Sequence, residues 1–222
     1  MREVHSCKYA LSGHMICGIC GSSYRRMRAN IPTQNTIWRC KMHLSDSSSC
    51  EGRSVPEKEV HIAVLQALNS LASEKDYFRH RLDGIRKQSL ASLQAEFNRV
   101  SYMIHGIQQQ ISDCGIQQEM RKDDPDLKGQ IQELSFQFTG LQNYKKQLNE
   151  KKASLAYEER QLANILSFIE SHEKHGVFLP ETNFCEEEIM LLLEQVRVMK
   201  HGYVVSFKAG RVIEVIKSSS EE

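Results

Sequence analysis

Aromatic residues are scarce in this 222-residue chain, at 7%, and only four prolines are spread over its length. That composition suits a helical, partly elongated protein better than a compact α/β enzyme. The length allows one domain, or two small ones joined by an extended element. No apolar run approaches the roughly eighteen residues needed to span a bilayer. The first residues, "MREVHSCKYALSGHM", lack the continuous apolar core of a signal peptide. A cytoplasmic protein without a membrane partner is therefore expected. A net charge of +1 argues against a surface that binds nucleic acid all over, but leaves room for a local basic patch. Also missing is a nucleophile paired with a base. The nine histidines and the many acids are scattered along helices that read as solvated.

What is present is cysteine, unevenly placed. Five of the seven (Cys7, Cys17, Cys20, Cys40 and Cys50) fall in the first fifty residues. An odd, clustered set in a reducing compartment suggests metal rather than a disulfide framework. Cys17 and Cys20 form a Cys-x-x-Cys knuckle, each followed by glycine. A redox pair would need a strand before it and a helix opening at the first cysteine. Instead "GSSYRRMRANIPTQNTIWRC" is rich in turn formers and ends in a β-type run, Thr36 to Arg39. This reads as a hairpin with a long loop. Cys40 and Cys50 can complete a tetrahedral zinc site of four thiolates, and Cys40-x-x-His43 offers a tighter alternative. Glycines after Cys17 and Cys20 leave the backbone free to turn N–H groups toward the sulfurs. Cys7, Cys114 and Cys185 read as plain thiols.

The stretch "LSGHMICGICGSSYRR … IWRCKMHLSDSSSCEGRSVPEKEVHIAVLQAL" resembles the zinc-ribbon domain of large serine recombinases, of the phage-integrase and transposon type. The shared features are Leu11-Ser12-Gly13, Cys-Gly-x-Cys-Gly at Cys17 to Gly21, Trp38-Arg39-Cys40, and Cys-x-Gly-Arg-Ser at Cys50 to Ser54. The last motif favours Cys50 over His43 as the fourth ligand of one structural zinc ion.

Beyond the ribbon, Ser54 is expected to cap a helix with Pro56 in its first turn, and Val60, Val64, Leu68 and Leu71 form its apolar face. From Leu90 the apolar steps alternate three and four (Leu93, Phe97, Val100, Ile104, Ile107, Ile111), the pattern of a coiled-coil seam. "DCGIQQEMRKDDPDLKG" is expected to break that helix from Asp113 onward. A second seam follows, with Leu127, Leu134, Leu141, Leu148, Leu155, Leu162 and Ile169 each seven apart. Its alternate row is charged in the middle, at Lys145, Lys152 and Glu159. The short connection favours an antiparallel hairpin over a leucine-zipper homodimer. A helix over Glu186 to Val196 and a β-meander with turns at His201-Gly202 and Ala209-Gly210 complete the chain.

The fold class is thus α+β. Residues 1–72 form a zinc β-ribbon and the start of a long helix. Residues 73–172 form an antiparallel coiled-coil hairpin with its tip at about 113–126, and residues 173–222 form a helix and β-meander. The resemblance extends to this tail, and implies that the hairpin is inserted into one zinc-containing domain. The catalytic serine domain of the family is absent from the sequence, so no catalysis is expected from this chain. What remains is a DNA-binding and synapsis-controlling module. The first sixty residues hold nine basic and five acidic side chains, a balance of +4. Arg25, Arg26 and Arg28 are placed on the ribbon loop, Arg39 and Lys41 flank the third ligand, and Arg53 lies in the last motif. These are the candidate contacts to double-stranded DNA at an attachment site. Ile111, Ile116 and Met120 are candidate tip contacts to another recombinase subunit. A recombination directionality factor is a further candidate partner. The alternative reading is a zinc-ribbon and coiled-coil adaptor acting only through protein–protein contacts.

Overall fold

The computed structural model describes residues 9–28, 36–121, 124–173 and 184–216. Cys7 lies outside them. The chain divides into two compact units: Met1–Arg79 with Gln161–Glu222, and His80–Arg160. Among the described residues no helix is long and apolar enough to cross a membrane.

The first unit is built on two small sheets and helix α2 (Glu57–Ala72). Strand β1 (Met15–Cys17) leads through the first knuckle to β2 (Tyr24–Met27), which pairs antiparallel with β3 (Ile37–Cys40). A one-turn helix α1 (Lys41–Ser45) follows, and β4 (Val55–Pro56) adds to β3. Val55 and Pro56 are therefore strand, not helix. The expected cap is also displaced: Pro56 precedes the first helical residue, Glu57, while the Ser54 hydroxyl accepts from Arg39 Nε at 2.9 Å. Two glutamates in the first turn of α2 suit its N-terminal dipole. Val60, Val64, Leu68 and Leu71 are all buried, as a helical stripe requires.

The second sheet has the order β1-β5-β6-β7, with β5 (Leu193–Met199), β6 (Gly202–Phe207) and β7 (Val212–Ile216) as the meander. β1 joins it in parallel, Met15 opposite Val196 and Cys17 opposite Val198. The helix expected to reach Val196 stops earlier, as α6 (Glu186–Leu192). Ile189, Leu192 and Val196 fit a helical period, but Val196 and Val198 also alternate as strand residues, and pairing on both sides of β5 satisfies the backbone groups there.

Along the chain, further helices separate α2 from α6. α2 is followed by α3 (Lys75–Gly84), a six-residue π-helical stretch over Ile85–Leu90, and α4 (Ala91–Met120). The expected break from Asp113 does not occur. α4 runs through Gly115 to Met120, and the Asp124 carboxylate accepts the Asp126 N–H at 3.0 Å as α5 (Pro125–Glu173) begins. One isolated glycine costs a helix only about 1 kcal/mol, whereas a proline can open a helix at its first position but not continue one. Residues 122 and 123 of the expected tip lie outside the described residues.

Within the second unit α4 and α5 pack antiparallel. Leu93, Val100, Ile104 and Leu148 form one buried cluster with Phe97, Phe138, Leu141 and Leu155 against it. The charged row is accommodated there. The ammonium groups of Lys145 and Lys152 stand 5.0 and 4.8 Å from the Phe97 ring centre, and Glu159 pairs with Arg86 at 2.7 Å. Long basic side chains lay their stems along the seam while their charge stays at its rim.

Candidate metal centre

Cys17, at the end of β1, and Cys20 form one knuckle; Cys40, at the end of β3, and Cys50 form the other. The four sulfurs all lie within 4.8 Å of one another. Cys17 and Cys50 are 3.7 Å apart, Cys20 and Cys40 3.4 Å, Cys40 and Cys50 3.9 Å. Four thiolates at about 2.3 Å from a tetrahedral zinc stand about 3.8 Å from each other, so the cluster has the right size for zinc. The spacing is also too wide for disulfides, which need about 2.05 Å. Four cysteine sulfurs close the coordination shell, so this is a structural site with no position for water.

His43 is not in the cluster. Its Nδ1 is 2.7 Å from the carbonyl oxygen of Cys50, and it braces the second knuckle from behind. The bracing N–H groups also differ from those expected. Gly18 N–H goes to the Val198 carbonyl (2.9 Å) and Gly21 N–H to the Cys17 carbonyl (2.9 Å), so neither faces a sulfur. Gly52 does so instead, donating to Cys50 Sγ at 3.2 Å. A Cβ on Gly52 would lie 3.0 Å from Cys17 Sγ and 3.2 Å from Cys50 Sγ, so only glycine leaves the sulfurs their space. The glycine of the Cys-x-Gly-Arg-Ser motif is the trace of this close approach in the sequence.

Without a cation this is a poor place for negative charge. Burial pushes the Cys50 thiol up to about 12, and burial also raises Cys40. The exception is Cys20, brought down to about 6 chiefly by the Ser22 N–H aimed at its sulfur. A divalent ion supplies the compensation that buried thiolates otherwise lack.

The six candidate DNA residues fall into two groups. Arg25 and Arg26 lie in β2, not on a loop, and Arg28 directly follows it. Alternation sends Arg26 inward, where its guanidinium grips Glu57 at 2.6 and 2.8 Å and stacks on Tyr9. Arg53 is also held. It pairs with Glu59 at 2.8 Å, reaches the Met199 carbonyl and lies over the Tyr203 ring, whose hydroxyl also donates to Glu59. These two arginines tie the ribbon to α2 and to the meander. Arg25, Arg28 and Lys41 are exposed, with no side-chain partner among the described residues. Arg25 sits directly opposite Arg39 in the ladder. Opposed like charges destabilise a sheet, and among the described residues the Ser54 contact of Arg39 is what offsets it here. Of the tip residues, Ile111 is half-buried, Ile116 is 53% exposed and Met120 81%. Cys114 is half-buried and Cys185 exposed.

Residues 10–69 match the family described as recombinase zinc beta ribbon domain. The match supports a recombinase-type zinc ribbon over that segment, and with the sulfur geometry it identifies four cysteines that could hold one zinc ion. No curated protein and no solved structure gave a significant match.

Proposed function

From a recombinase-type ribbon over residues 10–69, we propose that this chain is the DNA-binding and synapsis-controlling C-terminal module of a serine site-specific recombinase, with no catalysis of its own. The observation that carries the reading is the outward Arg25–Arg39 pair beside Lys41. Cations opposed on a rigid ladder suit a polyanion, whose phosphates relieve their repulsion and fix register without reading sequence. Arg28, exposed just past the end of β2, is a further cation of the ribbon, while Arg26 and Arg53 hold the ribbon in position. Zinc, when bound, fixes the ends of β1 and β3 relative to the Cys50 knuckle and so presents the basic face.

A test is the salt dependence of binding to a short duplex. Each lost phosphate contact lowers the slope of log K against log salt by about 0.9. Replacing Arg25 and Arg39 together with alanine is expected to lower it by about 1.8, with zinc content unchanged. Arg26 is left alone because its loss would also remove the Glu57 pair. A purely protein-binding adaptor would show no salt-dependent DNA affinity in the first place.

The antiparallel α4–α5 pair acts, in this reading, as a coiled-coil hairpin that carries a contact at its tip. Ile116 and Met120 are exposed apolar groups near the end of α4. An open groove of about 550 Å³ between α4 and α5 is lined by residues that include Cys114, Gln130 and Leu134. Small exposed apolar groups suit a weak, reversible contact with a second subunit or a directionality factor. Ile116→Asp with Met120→Asp is expected to leave zinc content, helicity and single-site DNA binding intact while abolishing association of DNA-bound complexes in a gel shift. Paired complexes at wild-type levels would exclude the tip.

A further inference from the structure

The two sheets of the first unit meet edge to edge. Ile16 pairs with Arg197 of β5 and also forms an antiparallel bridge to Ser23, just before β2. The Ser23 carbonyl in turn accepts the Lys41 N–H at 3.0 Å. Directly paired residues project on the same side of a sheet, and every second residue along a strand returns to that side. One continuous face therefore carries Arg197, Ile16, Ser23 and Lys41 as a row, with Arg25 and Arg39 in the next row. Exposure agrees. Arg25, Lys41 and Arg197 are exposed and Ile16 and Ser23 half-buried, whereas Met15, Cys17, Val196 and Val198, which point the other way, are buried.

Arg197 has no side-chain partner among the described residues. The acid that shares its row, Glu214, stands two strands away beyond Val204. With strands about 4.8 Å apart that is roughly 10 Å, about one Debye length in ordinary salt. On the other side Lys41 is three strand spacings away, about 14 Å. A lone exposed arginine is usually only solvated. This one shares the exposed face of Lys41, Arg25 and Arg39, cations that have no ion-pair partner among the described residues.

We infer that Arg197 continues the phosphate-contacting face onto the C-terminal sheet, so that the duplex backbone lies across both sheets instead of on the ribbon alone. The inference rests on the DNA-binding reading above, and it gives the meander a direct part in binding.

The zinc-loaded full chain is titrated with a short mixed-sequence duplex at several salt concentrations. Arg197→Ala is expected to lower the slope by about 0.9, as one lost phosphate contact does, and Arg197→Lys to retain it. Lys146→Ala, an exposed cation on α5, is expected to change nothing. A wild-type slope in Arg197→Ala, alongside a reduced slope in Arg25→Ala, overturns this inference and leaves the ribbon reading standing. A wild-type chain without salt-dependent affinity overturns both. Zinc content and circular dichroism establish that each variant is folded.

Discussion

Cys50→Ser is expected to release the zinc ion and collapse the ribbon. The segment from β1 to β4 is too small to hold by burial, and structural zinc sites contribute on the order of 10 kcal/mol or more to such folds. Three sulfurs would remain, two of them buried, beside a serine hydroxyl that replaces a thiolate ligand with a neutral, weakly binding oxygen. The effect should reach past the ribbon. β1 ends on Cys17 and is also a strand of the second sheet, so loss of the metal removes an edge of that sheet as well. Zinc per chain, measured by atomic absorption after gel filtration, should fall from one to near zero, and the thermal transition of the first unit should broaden or disappear. His43→Ala separates the two candidate fourth ligands. It removes a contact to the Cys50 carbonyl, worth about 1 kcal/mol, and should keep the zinc. The reverse pair of results would make His43 the ligand.

Gly202→Ala should also be severe, for an unrelated reason. Gly202 opens β6 between Met199 of β5 and Ile216 of β7. Its φ is 155°, and an added Cβ would overlap the Val215 carbonyl oxygen and lie 3.1 Å from Ile216 Cα. Both obstacles are backbone atoms, which cannot rotate away. Overpacking and an unfavourable backbone together should cost about 3 kcal/mol, lowering Tm on the order of 10 °C and freeing β7. Gly210→Ala is the control. It shares a positive φ, 79°, but has nothing within 4 Å of the new Cβ, and should cost only about 1 kcal/mol. Zinc should survive both changes, because β1 docks on β5 and not on β7. Equal losses in the two variants would show that the close approach of β7 contributes nothing.

The metal site was legible because ligand chemistry is local: cysteines at knuckle spacing need little else. Even the irregular gap between Cys40 and Cys50 was bridged by the motif that follows it. The arginines were less legible. Arg25 and Arg26 sit among turn formers and read as loop, yet ladder pairing with Arg39 and Trp38 makes them strand and sends them to opposite faces. No local pattern says which of two adjacent arginines will find Glu57. Arg197 falls within the expected meander, but nothing local marks it as a neighbour of the ribbon; that follows from the pairing of β1 with β5. Least legible was the parallel pairing of β1, a three-residue strand, with β5. Its partner is chosen by packing across the whole unit and leaves no trace in either segment.

That pairing has a consequence for how the protein is made. His14 Nδ1 meets the Glu194 carbonyl across 180 positions, and Met15 lies opposite Val196. Translation at about 5–20 residues per second places roughly 10–35 s between the emergence of these two partners. During that interval a ribosome-bound chain can load zinc at its first fifty residues while the hydrogen-bonding edge of β1 is still without β5. A strand edge left open for that long invites pairing with a neighbouring nascent chain. Crowded polysomes are therefore where this fold is most exposed to misassembly.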